Sequence, residues 1–301
     1  MAINLIIAQP AEDMNTYLFV NPASGHHSAQ RLQFSLERLR SHGINPKIFQ
    51  VRNPAEVYAC CDTINEDGGP HLVIVAGGDG TINAVANGLN PGTATLAVLP
   101  FGTSNVLAAE IGITSIDDAL ERIAAGKTSS LSVGVIELEE RSHRFLLMAG
   151  IGLDGAVVRD VWPWGKRLLR QGAYALSALK CAIAWDTSVF GISTPERDVT
   201  CHTAIICNAS RYGGNYILSP GSSPFLSGLS AVCITGTTRR TYLSSAVDLF
   251  RNKAETNKDL IRIQSSTFEI RGKRPIQIDG DFIGYGPARI SELANFARII
   301  V

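Results

Sequence analysis

The chain of 301 residues has no surplus of charge of either sign, with 27 Lys and Arg against 27 Asp and Glu. A nucleic-acid binder normally offers a basic surplus to the phosphate backbone, so this balance argues against that class except through a local patch. Long apolar runs are also missing. The opening Met1 to Pro10 is apolar but too short to span a bilayer and has no basic leader, which predicts neither a signal peptide nor a transmembrane helix. Cysteine is sparse and irregular. Cys60, Cys61, Cys181, Cys201, Cys207 and Cys233 show no metal-ligand spacing, and the adjacent pair fits no secreted disulfide framework. They read as reduced core residues of a cytoplasmic protein. The histidines form no His-x-x-x-His pair, and His26-His27 reads as a solvated turn. No tandem repeat or low-complexity tract is present.

What is present is 45% hydrophobic content over a length that suits two ordinary cores. Up to about residue 126 the pattern alternates strand and helix. Strands are expected at Thr16 to Val20, Lys47 to Val51, His71 to Ala76 and Ala94 to Leu99. Helices are expected from Ser28 to Ser41, with Leu32, Phe34, Leu36 and Leu39 toward one face, then Pro54 to Ile64, Ile82 to Leu89, and Ser115 to Ala124 with Ser115 and Asp118 as a capping box. This is the βα texture of a parallel sheet. Beyond residues 126 to 134 the chain turns mostly β. Strands are expected at Val133 to Leu138, Arg144 to Met148, Val199 to Cys207, Leu229 to Ile234, Arg262 to Ile270 and Ile276 to Ile278, with helices at Lys166 to Ala184 and Thr241 to Asn252. The fold class is therefore α/β: an N-terminal three-layer domain over 1–130, then a mostly β, sandwich-like domain over 131–301.

Gly77-Gly78-Asp79-Gly80-Thr81 lies between the apolar run ending at Ala76 and a helix. A glycine turn entering a helix turns backbone N–H groups and the positive end of the helix dipole outward, and lets phosphate oxygens come close. Asp79 inside such a turn would repel phosphate unless it held a metal ion or a proton. Pro100 to Asn105 is a second such turn and Asn21-Pro-Ala-Ser-Gly25 a third. In a parallel sheet all three fall at the carboxyl ends of the strands and share one crevice, as a nucleoside triphosphate requires. Three other motifs carry less. Gly150-Ile-Gly152-Leu-Asp-Gly155 has the dinucleotide spacing but no acid about 20 residues on. Gly126-Lys-Thr128 lacks the first glycine of a phosphate loop and reads as a helix exit, and Asn208-Ala-Ser210 is a formal glycosylation acceptor.

These turns, together with Ile82-Asn83, Asn87-Gly88-Leu89, Gly150 to Asp154, Tyr212-Gly213-Gly214 and Asp279-Gly280-Asp281, resemble the diacylglycerol kinase catalytic family, which includes bacterial lipid kinases and is similar to sphingosine and ceramide kinases. The resemblance runs through most of the chain. It implies phosphorylation of a lipid hydroxyl by ATP with Mg²⁺, by a cytoplasmic protein peripheral to the membrane during turnover and possible as a homodimer, with no nucleic-acid partner. It assigns Asn21, Ser24, Gly77, Gly78, Gly80, Thr81, Ile82, Asn83, Gly102, Thr103, Ser104 and Asn105 to ATP, Asp79 to catalysis and metal, and Asp281 to the proton-acceptor position. It also implies nucleotide in a cleft between the two domains and lipid on the second. The chain departs from the bacterial pattern at Val106, Ser132 and Ser227-Gly-Leu-Ser230, and has Asp281 where Glu is usual.

Lys166, Arg167 and Arg170 are candidates to meet phosphate or an anionic headgroup, and Trp162-Pro-Trp164 a bilayer interface. A nicotinamide-nucleotide kinase shares Gly-Gly-Asp-Gly-Thr, but it is expected to carry Asn-Glu well downstream, and the Asn-Glu here, Asn65-Glu66, lies upstream. A non-catalytic nucleotide or lipid binder is the other alternative.

Overall fold

A computed structural model describes residues 6–7, 15–139, 141–160, 188–214, 216–251, 253, 257 and 260–301. The helix expected at 166–184, the Trp162 to Trp164 stretch and the Lys166, Arg167 and Arg170 cluster lie outside these residues. The chain forms two compact units, Met1–Ser132 with Ala294–Val301, and Val133–Leu293.

The first unit runs β1 (Ile6–Ile7), β2 (Thr16–Val20), α1 (Ala29–Ser41), β3 (Lys47–Gln50), α2 (Pro54–Asp67), β4 (His71–Gly77), α3 (Asp79–Gly88), β5 (Ala94–Pro100), α4 (Val106–Glu110), α5 (Ile116–Ala125) and the start of β6 (Lys127–Leu138). Local signals set the helix ends. Ser28 accepts the Arg31 N–H at α1, Asn53 the Glu56 N–H at α2 ahead of Pro54, and Ser115 the Asp118 N–H at α5, while Asp118 accepts back from Thr114. Gly68 and Gly126 close α2 and α5 in the left-handed conformation, so Gly126-Lys-Thr128 is a helix exit. On α1 the buried positions are Ser35, Leu36 and Leu39. Phe34 is exposed, because it lies off the i, i+3, i+4, i+7 stripe that starts at Leu32.

The parallel strand order is β3-β2-β4-β5. β2 to β3 steps one way across the sheet and β4 to β5 the other, so the order reverses between β2 and β4. The crevice at such a reversal, outside the carboxyl ends of the strands, is where open α/β sheets take ligands.

The second unit holds the rest of β6, then β7 (Arg141–Phe145), β8 (Met148–Gly152), α6 (Leu153–Asp160), β9 (Phe190–Ser193), β10 (Asp198–Cys201), β11 (Thr203–Cys207), β12 (Arg211–Tyr212), β13 (Tyr216–Ile217), β14 (Leu229–Ile234), α7 (Arg239–Phe250), β15 (Leu260–Ser265), β16 (Thr267–Arg271), β17 (Pro275–Ile278), β18 (Asp281–Tyr285) and the start of β19 (Ala288–Ile300). One antiparallel sheet has the order β15-β14-β11-β8-β17-β18. A second set, β10-β9-β16-β19 with the β6–β7 hairpin, shares one apolar core with it, from Phe145 and Ile151 to Phe268 and Ile290. This is the sandwich-like arrangement expected of a mostly β second domain.

Three expected strands are each split in two. Leu146 and Leu147 break the first, because their N–H groups turn to the Asp279 carboxylate. His202 breaks the second, its N–H bonding to the Ile234 carbonyl, and Ser266 the third. The first break lies inside the unbroken apolar run Phe145 to Met148, and single residues, His202 and Ser266, make the other two, so composition does not mark them. The expected boundary at residue 130 also needs correcting at the far end. Residues 294–301 return to the first unit, where β19 pairs in parallel with β5 through Arg298 opposite Thr95 and Ile299 opposite Leu96. Among the described residues no helix is long and apolar enough to cross a membrane.

Candidate functional site

The three expected phosphate turns meet at the reversal point. Asn21 ends β2 by giving its N–H to the Ala76 carbonyl (3.1 Å), and its side-chain amide donates to Thr81 Oγ1 (3.0 Å). Phe101 donates to the Gly77 carbonyl (3.2 Å) and accepts from the His26 N–H (2.9 Å). Glycine makes this meeting possible. A Cβ on Gly102 would stand 2.4 Å from Gly78 Cα, one on Gly25 2.2 Å from Thr103 Oγ1, and one on Gly77 2.8 Å from Thr81 Cβ. No side chain fits at those separations.

Asp79 is the first residue of α3, and its carboxylate is committed to the neighbouring turn. Oδ2 accepts the Val106 N–H (3.1 Å) and Oδ1 the Leu107 N–H (3.0 Å). These are orphan donors of α4, whose own N-cap residue, Asn105, is left-handed (φ 47°) and turns its side-chain amide back to the Gly102 carbonyl (2.9 Å). Asp79 therefore caps a helix that begins 27 residues later. Burial pushes its carboxyl above the ordinary carboxylate range, while the Leu107 and Val106 amides pull it down. Among the described residues no group of three or more His, Cys, Asp and Glu is placed to hold a metal ion. The metal role expected for Asp79 finds no acidic cluster around it.

Gly80 is different from the other glycines of its turn. It is exposed, among the described residues nothing lies within 4 Å of where its Cβ would be, and its φ is not left-handed. A Cβ would fit there and Ala is the better helix former, so neither packing nor backbone geometry accounts for the glycine. What it leaves is open space at the first turn of α3. Thr103 and Ser104 are exposed on the second turn, whereas Ile82 is buried in the core and the Asn83 side-chain carbonyl accepts from Asn87. Ser24 Oγ and Asn105 Oδ1 are buried with no hydrogen-bond partner among the described residues. A groove of about 540 Å³ adjoins the second turn, bordered by His26, Arg31, Ser104, Asn105 and the start of α5.

In the second unit the remaining motifs converge. Asp154, in the first turn of α6, is buried and accepts from the Tyr212 hydroxyl and from Gln277 Nε2 (2.7 Å). Gln277 Oε1 accepts the Gly280 N–H (2.8 Å). Asp279 is left-handed (φ 47°) and its carboxylate accepts three successive N–H groups, from Leu146 (2.8 Å), Leu147 (3.0 Å) and Met148 (2.9 Å). Asp281 follows, exposed at the start of β18. The dinucleotide-like spacing at Gly150 now has a steric reason: a Cβ there would overlap the Asp154 carboxylate, and one on Gly155 would sit 2.2 Å from the Pro275 carbonyl oxygen. Sequence reasoning missed Gln277, whose one signal is a polar residue inside the apolar strand Pro-Ile-Gln-Ile.

Residues 15–136 match the family model of the diacylglycerol kinase catalytic domain. The chain is 24% identical over 245 residues to a Bacillus subtilis protein named diacylglycerol kinase, covering 76% of this chain and 77% of that one. It is 25% identical over 292 residues to a diacylglycerol kinase of Mycobacterium tuberculosis, with 93% of each covered. A crystal structure of a Bacillus anthracis diacylglycerol kinase shares the fold, with a TM-score of 0.69 at 17% identity over 96% of this chain and 97% of that one. The family resemblance read from the turns is thus borne out.

Two outcomes follow from the carboxylates. Asp79→Asn replaces one acceptor by a donor facing an N–H, so it should cost about 1 kcal/mol of stability and speed exchange of the Val106 and Leu107 amides. Unchanged exchange at both amides would refute the cap. Burial pushes Asp154 above its ordinary value of 3.8, against the pull of Tyr212 and Gln277. A carboxyl raised on folding contributes stability that is complete below its unfolded value and lost as pH rises through its folded one. Relative to Asp154→Asn, the wild type should lose stability as pH rises from about 4 toward neutrality, read by urea titration at several pH values. A flat difference would show that burial does not govern this group.

Proposed function

We propose that this chain, whose residues 15–136 are a diacylglycerol kinase catalytic domain, is an ATP-dependent kinase acting on the hydroxyl of a lipid, either diacylglycerol or a sphingoid-like alcohol. The observation that carries the reading is Gly80: a glycine that neither packing among the described residues nor a left-handed backbone requires, in the first turn of α3 and beside two further glycine turns. Space, backbone N–H groups and the dipole there suit an anion of phosphate size. The surroundings of the turns fit the nucleotide on the same grounds. Thr103 and Ser104 offer exposed hydroxyls, and the buried Ser24 Oγ and Asn105 Oδ1, unpaired among the described residues, leave hydrogen-bonding capacity next to the cradle.

In the proposed reaction the lipid hydroxyl oxygen bonds to the γ-phosphorus, and the bond from that phosphorus to the β,γ-bridging oxygen breaks, releasing ADP. The hydroxyl proton passes to the Asp281 carboxylate. Catalysis of this kind rests on positioning and charge stabilisation. Magnesium enters as the counter-ion of the nucleotide, and no residue is assigned to it. Asp79 is assigned to hold the turn, and the proton to Asp281, which is exposed where Asp79 is engaged with two amides.

Gly80→Ala separates this reading from a structural one. The variant should be no less stable than wild type, since Ala is the better helix former by about 1 kcal/mol, yet its KM for ATP should rise about tenfold or more. An unchanged KM would remove the phosphate role. The reading as a whole is tested by ATP turnover with magnesium over a panel of diacylglycerol, sphingoid base and ceramide. Phosphorylation of one of them is expected, and Asp281→Asn should lower its rate about 10²–10⁴-fold while Asp281→Glu stays partly active. A wild type that binds ATP but phosphorylates none of the panel would overturn the kinase reading in favour of a binding protein.

A further inference from the structure

Three motifs of the second unit that are far apart in sequence form one continuous hydrogen-bonded path. It runs from the Tyr212 hydroxyl to Asp154 Oδ1, from Asp154 Oδ2 to Gln277 Nε2 (2.7 Å), and from Gln277 Oε1 to the Gly280 N–H (2.8 Å). Both middle members are buried, with Asp154 at 2% and Gln277 at 3% exposure. Every donor meets an acceptor along the path, so its direction is fixed: reversing the Gln277 amide would set its NH₂ against the Gly280 N–H and its carbonyl against the carboxylate. Gly150 has no side chain at the point where a Cβ would occupy the space of the Asp154 carboxylate.

The path ends on the turn that carries Asp281. Asp279 and Gly280 are both left-handed (φ 47° and 89°), a conformation that costs a non-glycine residue about 1–2 kcal/mol and is kept only where surroundings hold it. The Asp279 side is anchored by its three amides and by its own N–H to the Met148 carbonyl (3.0 Å). On the Gly280 side the N–H is held by the Gln277 side chain. The Gly280 N–H belongs to the Asp279–Gly280 peptide, one peptide before the bond to Asp281, so holding it fixes the point from which the chain enters Asp281.

We propose that Gln277 and Asp154 are positioning residues that aim Asp281: Asp154 fixes which way the Gln277 amide faces, and Gln277 fixes the Gly280 peptide. This rests on the reading of Asp281 as proton acceptor, and it adds a tuning element in which neither residue touches the reacting atoms. A misplacement of about 1 Å at a reacting group can cost on the order of 10²-fold in rate, so the path is expected to act on kcat and not on the KM for ATP.

The test uses the polarity of the path in the full-length protein. Asp154→Asn alone keeps an acceptor for the Gln277 amide only by turning its own NH₂ to the Tyr212 oxygen, which leaves that hydroxyl without its acceptor, and Gln277→Glu alone sets carboxylate against carboxylate. The double variant restores every pairing with the charge moved one residue along: Asn Nδ2 donates to the Glu carboxylate, whose other oxygen accepts from Gly280. Each single variant should lose kcat about tenfold or more with an unchanged KM for ATP, and the double variant should recover to within about threefold of wild type. Exchange of the Gly280 and Asp281 amides should speed up in both single variants and slow again in the double. If a single variant does not fold, Tyr212→Phe, which removes one hydroxyl, should show a smaller effect of the same pattern. Unchanged kcat and exchange in folded single variants, or a double variant no better than the singles, would overturn the proposal. Should the wild type phosphorylate no lipid, the kinase reading fails on its own, and the amide-exchange pattern still decides whether the path holds the turn.

Discussion

The approach of Gly78 to Gly102 is the contact on which the first unit's site depends. Adjacent parallel strands stand about 4.8 Å apart, so the turns leaving β4 and β5 must pass each other backbone to backbone. The absence of a Cβ on both permits this. Once the two turns touch, Asp79 comes within reach of Val106 and Leu107 and closes the end of a helix only five residues long, too short to be stable alone. Thr103, fitted over Gly25, brings in the third turn. The phosphate-facing surface proposed here is thus one packed piece made from three separate segments.

Asp279 repeats the same device in the second unit, taking three amides where Asp79 takes two. In both motifs an aspartate beside glycine serves the backbone first. A carboxylate used in this way is acceptor-only and well matched to consecutive N–H groups, which hold it more firmly than a single neutral partner would. Asp281, two residues from Asp279, is exposed on that turn. The proposed division gives the structural duty to Asp279 and the chemical one to its near neighbour.

Much of this was legible from residue order. Alternating apolar runs and helix caps located β2 to β5 and α1, α2 and α5, and the parallel order then placed the three glycine turns on one edge. The partners of Asp79 were not legible, because they lie 27 and 28 residues away and contribute only backbone N–H groups, which no side-chain pattern encodes. The Gly150 motif, discounted as a dinucleotide site for want of a downstream acid, has its spacing for another reason: its glycines make room for Asp154 and the Pro275 carbonyl. Phe34 was placed on the buried stripe of α1 by its chemistry, while its angular position puts it in solvent. Gln277 showed how a lone polar residue in an apolar strand acquires meaning only when its strand neighbours are known.

The return of residues 294–301 to the first unit governs how the chain is made. β19 closes against β5 through Arg298 and Ile299, Val301 donates to the Lys127 carbonyl, and the Arg298 guanidinium reaches Thr128. These residues come after the whole second unit in the sequence. During synthesis from the amino end, β5 has no partner on this side while the whole second unit is being added, and that open edge, flanked by Leu96 and Val98, can pair with other chains. The first unit is therefore completed only after the second has been made.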